Sequence, residues 1–241
     1  MSEIIEQERN LEEIFLDNVR NEIRTPLNAV VGFCDLLNGV TGQHLKEEEK
    51  LAMKEHLHRN ANRLMTVVDD ILDLSQMQKS TLVLHKTVIG LMETCYKARE
   101  SVKHEVAPEV KLRHEYPVAL KDTYLYTDGK RLEQLIRIFL ENACQHTSQG
   151  EVTLKVKTFE LLDDNRTMLQ IRVDDTGEGI PEMHRDQVFK PFWKLDQKQE
   201  GLGVGLAISR QIAALLGGRV YLDHDYNGGA SFVFEMPLEQ V

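Results

Sequence analysis

The chain is poor in the residues that mark several protein classes. Its 241 residues include three cysteines, Cys34, Cys95 and Cys144, an odd and scattered set with no paired spacing. That argues against a disulfide framework or a metal site, and fits small core residues in a reducing compartment. No apolar run approaches the ~20 residues that a membrane span needs, and no signal peptide opens the sequence. Basic residues are outnumbered, 29 Lys and Arg against 39 Asp and Glu, for a net charge of −10. Nucleic-acid phosphates would be repelled, so a nucleic-acid partner is not expected. There is no internal repeat and no low-complexity tract. Proline is nearly absent from the first third of the chain, where only Pro26 occurs.

What remains is a soluble, globular composition, 41% hydrophobic and 28% charged, long enough for two domains of ordinary size. The N-terminal third reads as helix almost throughout. Met53, Leu57, Asn60, Leu64, Val67, Ile71 and Leu74 alternate steps of four and three, a heptad seam with one polar member. Ile23, Leu27, Val30, Cys34 and Leu37 repeat the alternation upstream. Asn38-Gly39-Val40-Thr41-Gly42 between them is a helix stop followed by a turn. Two seamed helices with a short connection make an antiparallel hairpin, and a second copy completing a four-helix bundle is the expected way to bury both faces.

Beyond about residue 82 the period changes. Strands are predicted at Thr81–His85, Val110–Tyr116, Glu151–Phe159, Met168–Asp174, Arg219–Asp223 and Ser231–Met236, with helices near 88–104, 129–146 and 204–216. Strands interleaved with helices, two of them adjacent across Asp163-Asp164-Asn165, predict an α/β sandwich with a mixed sheet. The expected division is a helical hairpin over 1–79 and an α/β domain over 80–241.

Residues 15 to 28 include Asn21-Glu22-Ile23-Arg24-Thr25-Pro26-Leu27-Asn28. This segment resembles the phosphoacceptor stretch of sensor histidine kinases, H-E-I-R-T-P-L-N, with Asn21 at the histidine position. An imidazole nitrogen keeps a lone pair for attack on phosphorus. The Asn amide nitrogen has its lone pair delocalised into the carbonyl and can only donate a hydrogen bond. Asp17, Asn21, Thr25 and Asn28 share one helical stripe, away from the apolar seam, so position 21 is expected to face solvent. Pro26 is expected to bend the helix it interrupts.

Three further segments belong together: Leu140-Glu141-Asn142-Ala143 within an apolar helix, Asp175-Thr176-Gly177-Glu178-Gly179 at a strand end, and Gly201-Leu202-Gly203-Val204-Gly205-Leu206 opening a helix. Glycines let backbone approach phosphate oxygens, and the following helix offers free N–H groups and its positive dipole end. No Gly-Lys-Ser/Thr follows, so this is not a lysine-bearing P-loop. In this order the segments are similar to the ATP-binding domain of the GHKL superfamily, the Bergerat fold.

The resemblance implies ATP and Mg²⁺ as ligands. Asn142 corresponds to the metal-holding residue, Asp175 to the acceptor of the adenine amino group, and Gly177 and Gly179 to glycines that keep that turn open for the base. His146, Phe192, Gly201, Gly203, Gly205 and Leu206 complete the nucleotide contacts, and residues 194–200 correspond to a mobile lid. Glu22 corresponds to the general base beside the acceptor, and Thr25 to the residue that positions water in regulator dephosphorylation. The implied partners are a second copy of the chain and the receiver domain of a response regulator. The implied location is the cytoplasm, with membrane attachment only through an upstream segment outside these residues.

Ile138 stands at the family's first Asn of N-x-x-x-N, Gln145 replaces a common lysine, and Leu202 replaces a frequent Thr or Ser. These departures touch phosphate and metal handling. The first reading is therefore a two-component kinase core that is silent in autophosphorylation at Asn21. The alternatives are a pseudokinase that dimerises and binds nucleotide without phosphotransfer, and a regulator phosphatase using Glu22 and Thr25.

Overall fold

A computed structural model describes residues 2–37, 46–78, 83–161, 166–195 and 201–238. The chain divides into two compact units, Met1–Ser80 with Lys194–Val204, and Thr81–Trp193 with Gly205–Val241.

The first unit is built on two long helices, α1 (Ser2–Leu37) and α2 (Glu47–Gln78), packed along each other as a hairpin. Pro26 lies inside α1 without ending it and is buried. The α2 seam faces inward: Met53, Leu57, Asn60, Leu64, Ile71 and Leu74 are half-buried and Val67 is 4% exposed. The Asn60 amide donates to the His56 carbonyl one turn back (2.8 Å). Leu27 departs from its expected place in the α1 seam. It is 46% exposed and shares an outer stripe with Val31, while Met65, Val68 and Leu72 form a matching exposed stripe on α2. One hairpin surface can cover only one face of each helix, so the second apolar stripe is left uncovered within a single chain.

The second unit is a sheet with helices on one face. Strands β1 (Thr87–Gly90) and β3 (Tyr124–Thr127) form a small antiparallel pair. The main sheet has the order β2-β4-β5-β7-β6, built from β2 (Val110–Glu115), β4 (Gly150–Glu160), β5 (Thr167–Asp175), β6 (Arg219–Leu222) and β7 (Ser231–Pro237). The β2–β4 pair is parallel and the others antiparallel, so the sheet is mixed as expected. The helices are α3 (Leu91–Ser101), α4 (Gly129–Gln145) and α5 (Gly205–Leu215).

Asp128 starts α4 as its N-cap: one carboxylate oxygen accepts the Arg131 N–H and the other the His85 N–H. Such a cap satisfies a donor that the first helical turn leaves free. Leu132, Leu135, Ile136, Phe139 and Leu140 of α4 are fully buried, as are Leu169, Ile171 and Val173 of β5 and Phe232 and Phe234 of β7. Aromatic packing ties the layers, with the Phe139 and Phe232 rings 5.6 Å apart and Phe189 edge-on to Phe232 at 6.0 Å. Strand alternation sends Leu169, Ile171, Val173 and Asp175 toward the helices. Gln170, Arg172 and Asp174 go to the opposite, open face.

Two expectations change. Residues 83–85 of the predicted Thr81–His85 strand are not in a strand, and 81–82 lie outside the described residues. The strand falls at Thr87–Gly90, which moves the start of the next helix to Leu91. Its partner β3 pairs with it from 34 to 40 residues away, with Thr87 opposite Thr127 and Gly90 opposite Tyr124. Four-residue strands stabilised by such distant pairing leave little local periodicity to detect.

Candidate functional site

The centre of the site is the C-terminal end of β5. Asp175 is 1% exposed, since the alternation that faces β5 residues inward carries its side chain under the helix layer. Its Oδ1 accepts the N–H of Gly177 (2.9 Å) and of Ala230 (3.1 Å). Its Oδ2 is buried and has no hydrogen-bond partner among the described residues. A buried carboxylate oxygen without a donor is costly, so a ligand donor there would recover much of that cost. Burial pushes the Asp175 pKa up. The two backbone N–H groups and the nearby His146 oppose that shift, and Asp174 adds to it.

The turn after Asp175 is close-fitting. A Cβ on Gly177 would collide with the His146 carbonyl and crowd Asp175 Oδ1. The glycine here serves a backbone approach inside the protein, which the family resemblance alone does not indicate. Gly179 has φ +70, a conformation that side chains disfavour. His146, at the C-cap of α4, lies with Nδ1 2.7 Å from Glu178 Oε1, and its carbonyl accepts the Glu178 N–H at 3.4 Å. Asp175, Gly177, Gly179 and His146 are thus brought together.

Asn142 sits one turn earlier on α4, half-buried, and its side-chain amide makes no hydrogen bond with a described residue. Among the described residues no cluster of three or more His, Cys, Asp or Glu could hold a metal. A single free amide oxygen fits Mg²⁺, which keeps most of its waters and takes few protein ligands. Ile138 is 6% exposed, and its Cγ2 would lie 3.3 Å from a Cβ on Gly205, the first residue of α5. An apolar side chain therefore fills the space under the start of that helix. Leu206 is half-buried and Gln145 exposed. Phe192 has φ +65, uncommon and strained for a bulky residue.

The other expected residues belong to the first unit. Asn21 is exposed, with Asp17, Thr25 and Asn28 on the same stripe. Glu22 is half-buried and engaged: Oε2 accepts from Arg63 of α2 (2.8 Å) and Oε1 accepts the Gly201 N–H (2.7 Å). Gly201 (φ +98) and Gly203 (φ +68) adopt glycine conformations. Leu202 and Val204 between them are 2% and 1% exposed. Of the lid expected at 194–200, residues 196–200 lie outside the described residues.

Sequence reasoning missed the segment that holds Asp175 from above. The Tyr226 hydroxyl donates to the Asp175 carbonyl (2.9 Å), the Asp175 N–H donates to the Ala230 carbonyl (3.0 Å), and a Cβ on Gly229 would strike the Asp175 carboxylate. The Gly228-Gly229 pair before β7 was the available signal, readable as a turn but not as a contact 54 residues away.

Comparison with known proteins identifies two domains in the chain. Residues 11–80 match the His Kinase A (phospho-acceptor) domain, and residues 127–240 match the Histidine kinase-, DNA gyrase B-, and HSP90-like ATPase. The chain is 28% identical over 233 residues to the signal transduction histidine-protein kinase BarA of Escherichia coli K12, covering 93% of this chain and 24% of that protein. It is 27% identical over 234 residues to the autoinducer 2 sensor kinase/phosphatase LuxQ of Vibrio vulnificus YJ016, covering 94% of this chain and 26% of that one. The chain thus spans about a quarter of these curated relatives. Full-length ShkA in complex with AMPPNP shares the fold at TM-score 0.64 and 24% identity, over 95% of this chain and 46% of that one. The Acinetobacter baumannii histidine kinase AdeS does so at TM-score 0.59 and 22% identity, over 90% and 98%. Residues 11–80 therefore belong with the phospho-acceptor domains and residues 127–240 with the ATPase domains of this type, the two parts of a histidine kinase core.

Proposed function

We propose that the chain binds ATP with Mg²⁺ as the core of a two-component sensor kinase, and that Asn21 leaves it unable to phosphorylate itself. The observation that carries the reading is Asp175 Oδ2, a buried acceptor at the end of β5 that has no donor among the described residues. The adenine amino group is the donor it lacks. By resemblance to the family, Gly177 and Gly179 keep the turn beside it open for the base, His146, Phe192 and Leu206 are further nucleotide contacts, and Gly201, Gly203 and Gly205 are the glycines that would offer amides to phosphates. Mg²⁺ on the Asn142 amide oxygen would neutralise triphosphate charge. The intended flow is γ-phosphoryl to position 21 and then to an aspartate of a receiver domain, on the cytoplasmic side of a membrane-attached or soluble sensor. The named relatives are kinases, LuxQ a sensor kinase/phosphatase, which favours this reading over a nucleotide-binding scaffold; a phosphatase working through Glu22 and Thr25 is the alternative.

Calorimetry with ADP tests the pocket. Micromolar to sub-millimolar binding is expected, weakened by Asp175→Asn by roughly ten- to a hundredfold, the effect of losing a charge-assisted acceptor worth about 1.5–3 kcal/mol. No heat at millimolar ADP or ATP, with or without Mg²⁺, would sink the assignment. Adenosine, which has no phosphate to titrate, isolates the pH effect. The buried Asp175 carboxyl has a raised pKa, so acidification protonates it earlier than an ordinary carboxylate. The protonated group cannot serve as the charged acceptor. Adenosine affinity should therefore fall as pH drops from neutral, beginning above the usual carboxylate range, and stay flat in Asp175→Asn. An unchanged profile in the unmodified chain would show that the carboxylate does not receive the base.

The hairpin implies a homodimer through residues 10–78. The uncovered stripe of Leu27, Val31, Met65, Val68 and Leu72 is the surface for the second copy. Light scattering should report a dimer at micromolar concentration, and Val68→Lys with Leu72→Lys should shift it to monomer. A stable monomer of the unmodified chain would rule the bundle out.

A further inference from the structure

We propose that Tyr226 is a positioning residue for base recognition: it fixes the Asp175 main chain so that a single carboxylate oxygen, Oδ2, faces the ligand. The inference rests on the nucleotide reading above and adds a residue to it that no family motif supplied.

Residues 226–230 hold Asp175 at three groups. The Tyr226 hydroxyl donates to its carbonyl (2.9 Å), the Ala230 carbonyl accepts its N–H (3.0 Å), and the Ala230 N–H donates to Oδ1 (3.1 Å). Gly229 packs so tightly against the carboxylate that no side chain fits there. With the main chain and Oδ1 committed, the carboxylate can turn only by breaking hydrogen bonds. Oδ2 stays buried, with no donor among the described residues.

Tyr226 is itself fixed from two sides. A Cβ on Gly228 would run into its hydroxyl and ring, so that glycine makes room for the phenol. The Arg172 guanidinium lies 5.4 Å from the ring centroid, within cation–π range. Arg172 is held by Asp174 and by Asp223 (2.8 Å) on the open face of the sheet. Asp223 in turn donates its N–H to the Ser231 carbonyl and accepts the Asp225 N–H, which stabilises the start of the same loop. Asp174, Asp223 and Arg172 thus support, from the open face, a carboxylate that points to the other face.

The consequence is selectivity. Adenine presents an amino donor to Oδ2, whereas hypoxanthine presents a carbonyl at the same position and would meet a like-signed acceptor. A fixed carboxylate discriminates between them, and one free to rotate can reorient and discriminates less. Tyr226→Phe removes only the hydroxyl. The test is calorimetry with ADP and IDP on the full chain and this variant, with thermal melting as a folding control. The expected result is ADP affinity lower by roughly threefold to tenfold, the range for one hydrogen bond, IDP affinity nearly unchanged, and a smaller ADP-to-IDP ratio. Arg172→Gln, which releases the ring from the other side, should reduce the ratio in the same direction and gives a second readout if Tyr226→Phe folds poorly. Equal weakening of both ligands, or an unchanged ratio in both variants, would overturn the inference while leaving the pocket standing. Failure of the unmodified chain to bind ADP would overturn the nucleotide reading, and this inference with it.

Discussion

Incubated with Mg·ATP, the chain as it stands should acquire no acid-labile phosphate. Position 21 is exposed on α1 and offers an amide with no nucleophilic lone pair. Among the described residues no other histidine of the hairpin can replace it. The His56 ring is stacked on Phe33 with centroids 5.5 Å apart and its nitrogens lie beside Arg59. His58 is exposed but lacks the following Glu-x-x-Thr context, and His44 lies outside the described residues. Phosphoryl transfer depends almost wholly on positioning and charge stabilisation, and correct positioning alone corresponds to effective molarities on the order of 10⁵–10⁸ M. A misplaced imidazole forfeits that. Asn21→His is the informative companion. Labelling at residue 21 would make Asn21 the sole block. Nucleotide binding without labelling would locate a second block at Ile138 and Gln145, where an apolar side chain and an amide replace polar and cationic groups. Acid-labile phosphate on the unmodified chain would overturn the argument.

The largest stability effect is expected from Phe232→Ala. Phe232 is fully buried on β7, between Phe139 of α4 and Phe189. Its strand pairs with β5 on one side and β6 on the other, so neighbours cannot close the space left by the ring. Truncations of this kind cost about 3–5 kcal/mol. For a domain of this size that corresponds to a fall of roughly 6–20 °C in Tm. Thermal unfolding followed by circular dichroism checks it. A shift of less than about 2 °C would mean that the ring is not the packing centre that its contacts describe.

Sequence patterns reached the fold unevenly. Strands β2, β4, β5, β6 and β7 were readable because apolar residues alternate along them or run unbroken, and α4 and α5 because their apolar faces recur at helical spacing. β1 and β3 were not: these four-residue strands pair only with each other, outside the main sheet, and carry no clear apolar alternation. The hairpin was legible, but the division of its two apolar faces was not: Leu27 fits the inner seam by spacing yet sits on the outer stripe. In the site, Asp175 and the glycines stand out as a motif. The partners of Asp175 at Tyr226, Gly229 and Ala230, and the Arg63 partner of Glu22, are set by tertiary approach across 41 to 55 residues. No local pattern encodes such pairs.

The end of β5 also constrains how such a chain can diverge. Asp174 and Asp175 are neighbours with opposite destinations, one in the ionic network of the open face and one beneath the helices. Which one reaches the pocket is a matter of odd or even position along the strand. Substitutions leave that parity intact, whereas insertion or loss of a single residue within β5 would exchange the two faces, presenting Arg172 and Gln170 to the core and withdrawing the pocket carboxylate. The strand can therefore change its letters but not its length, and length variation in such sheets must collect in the loops.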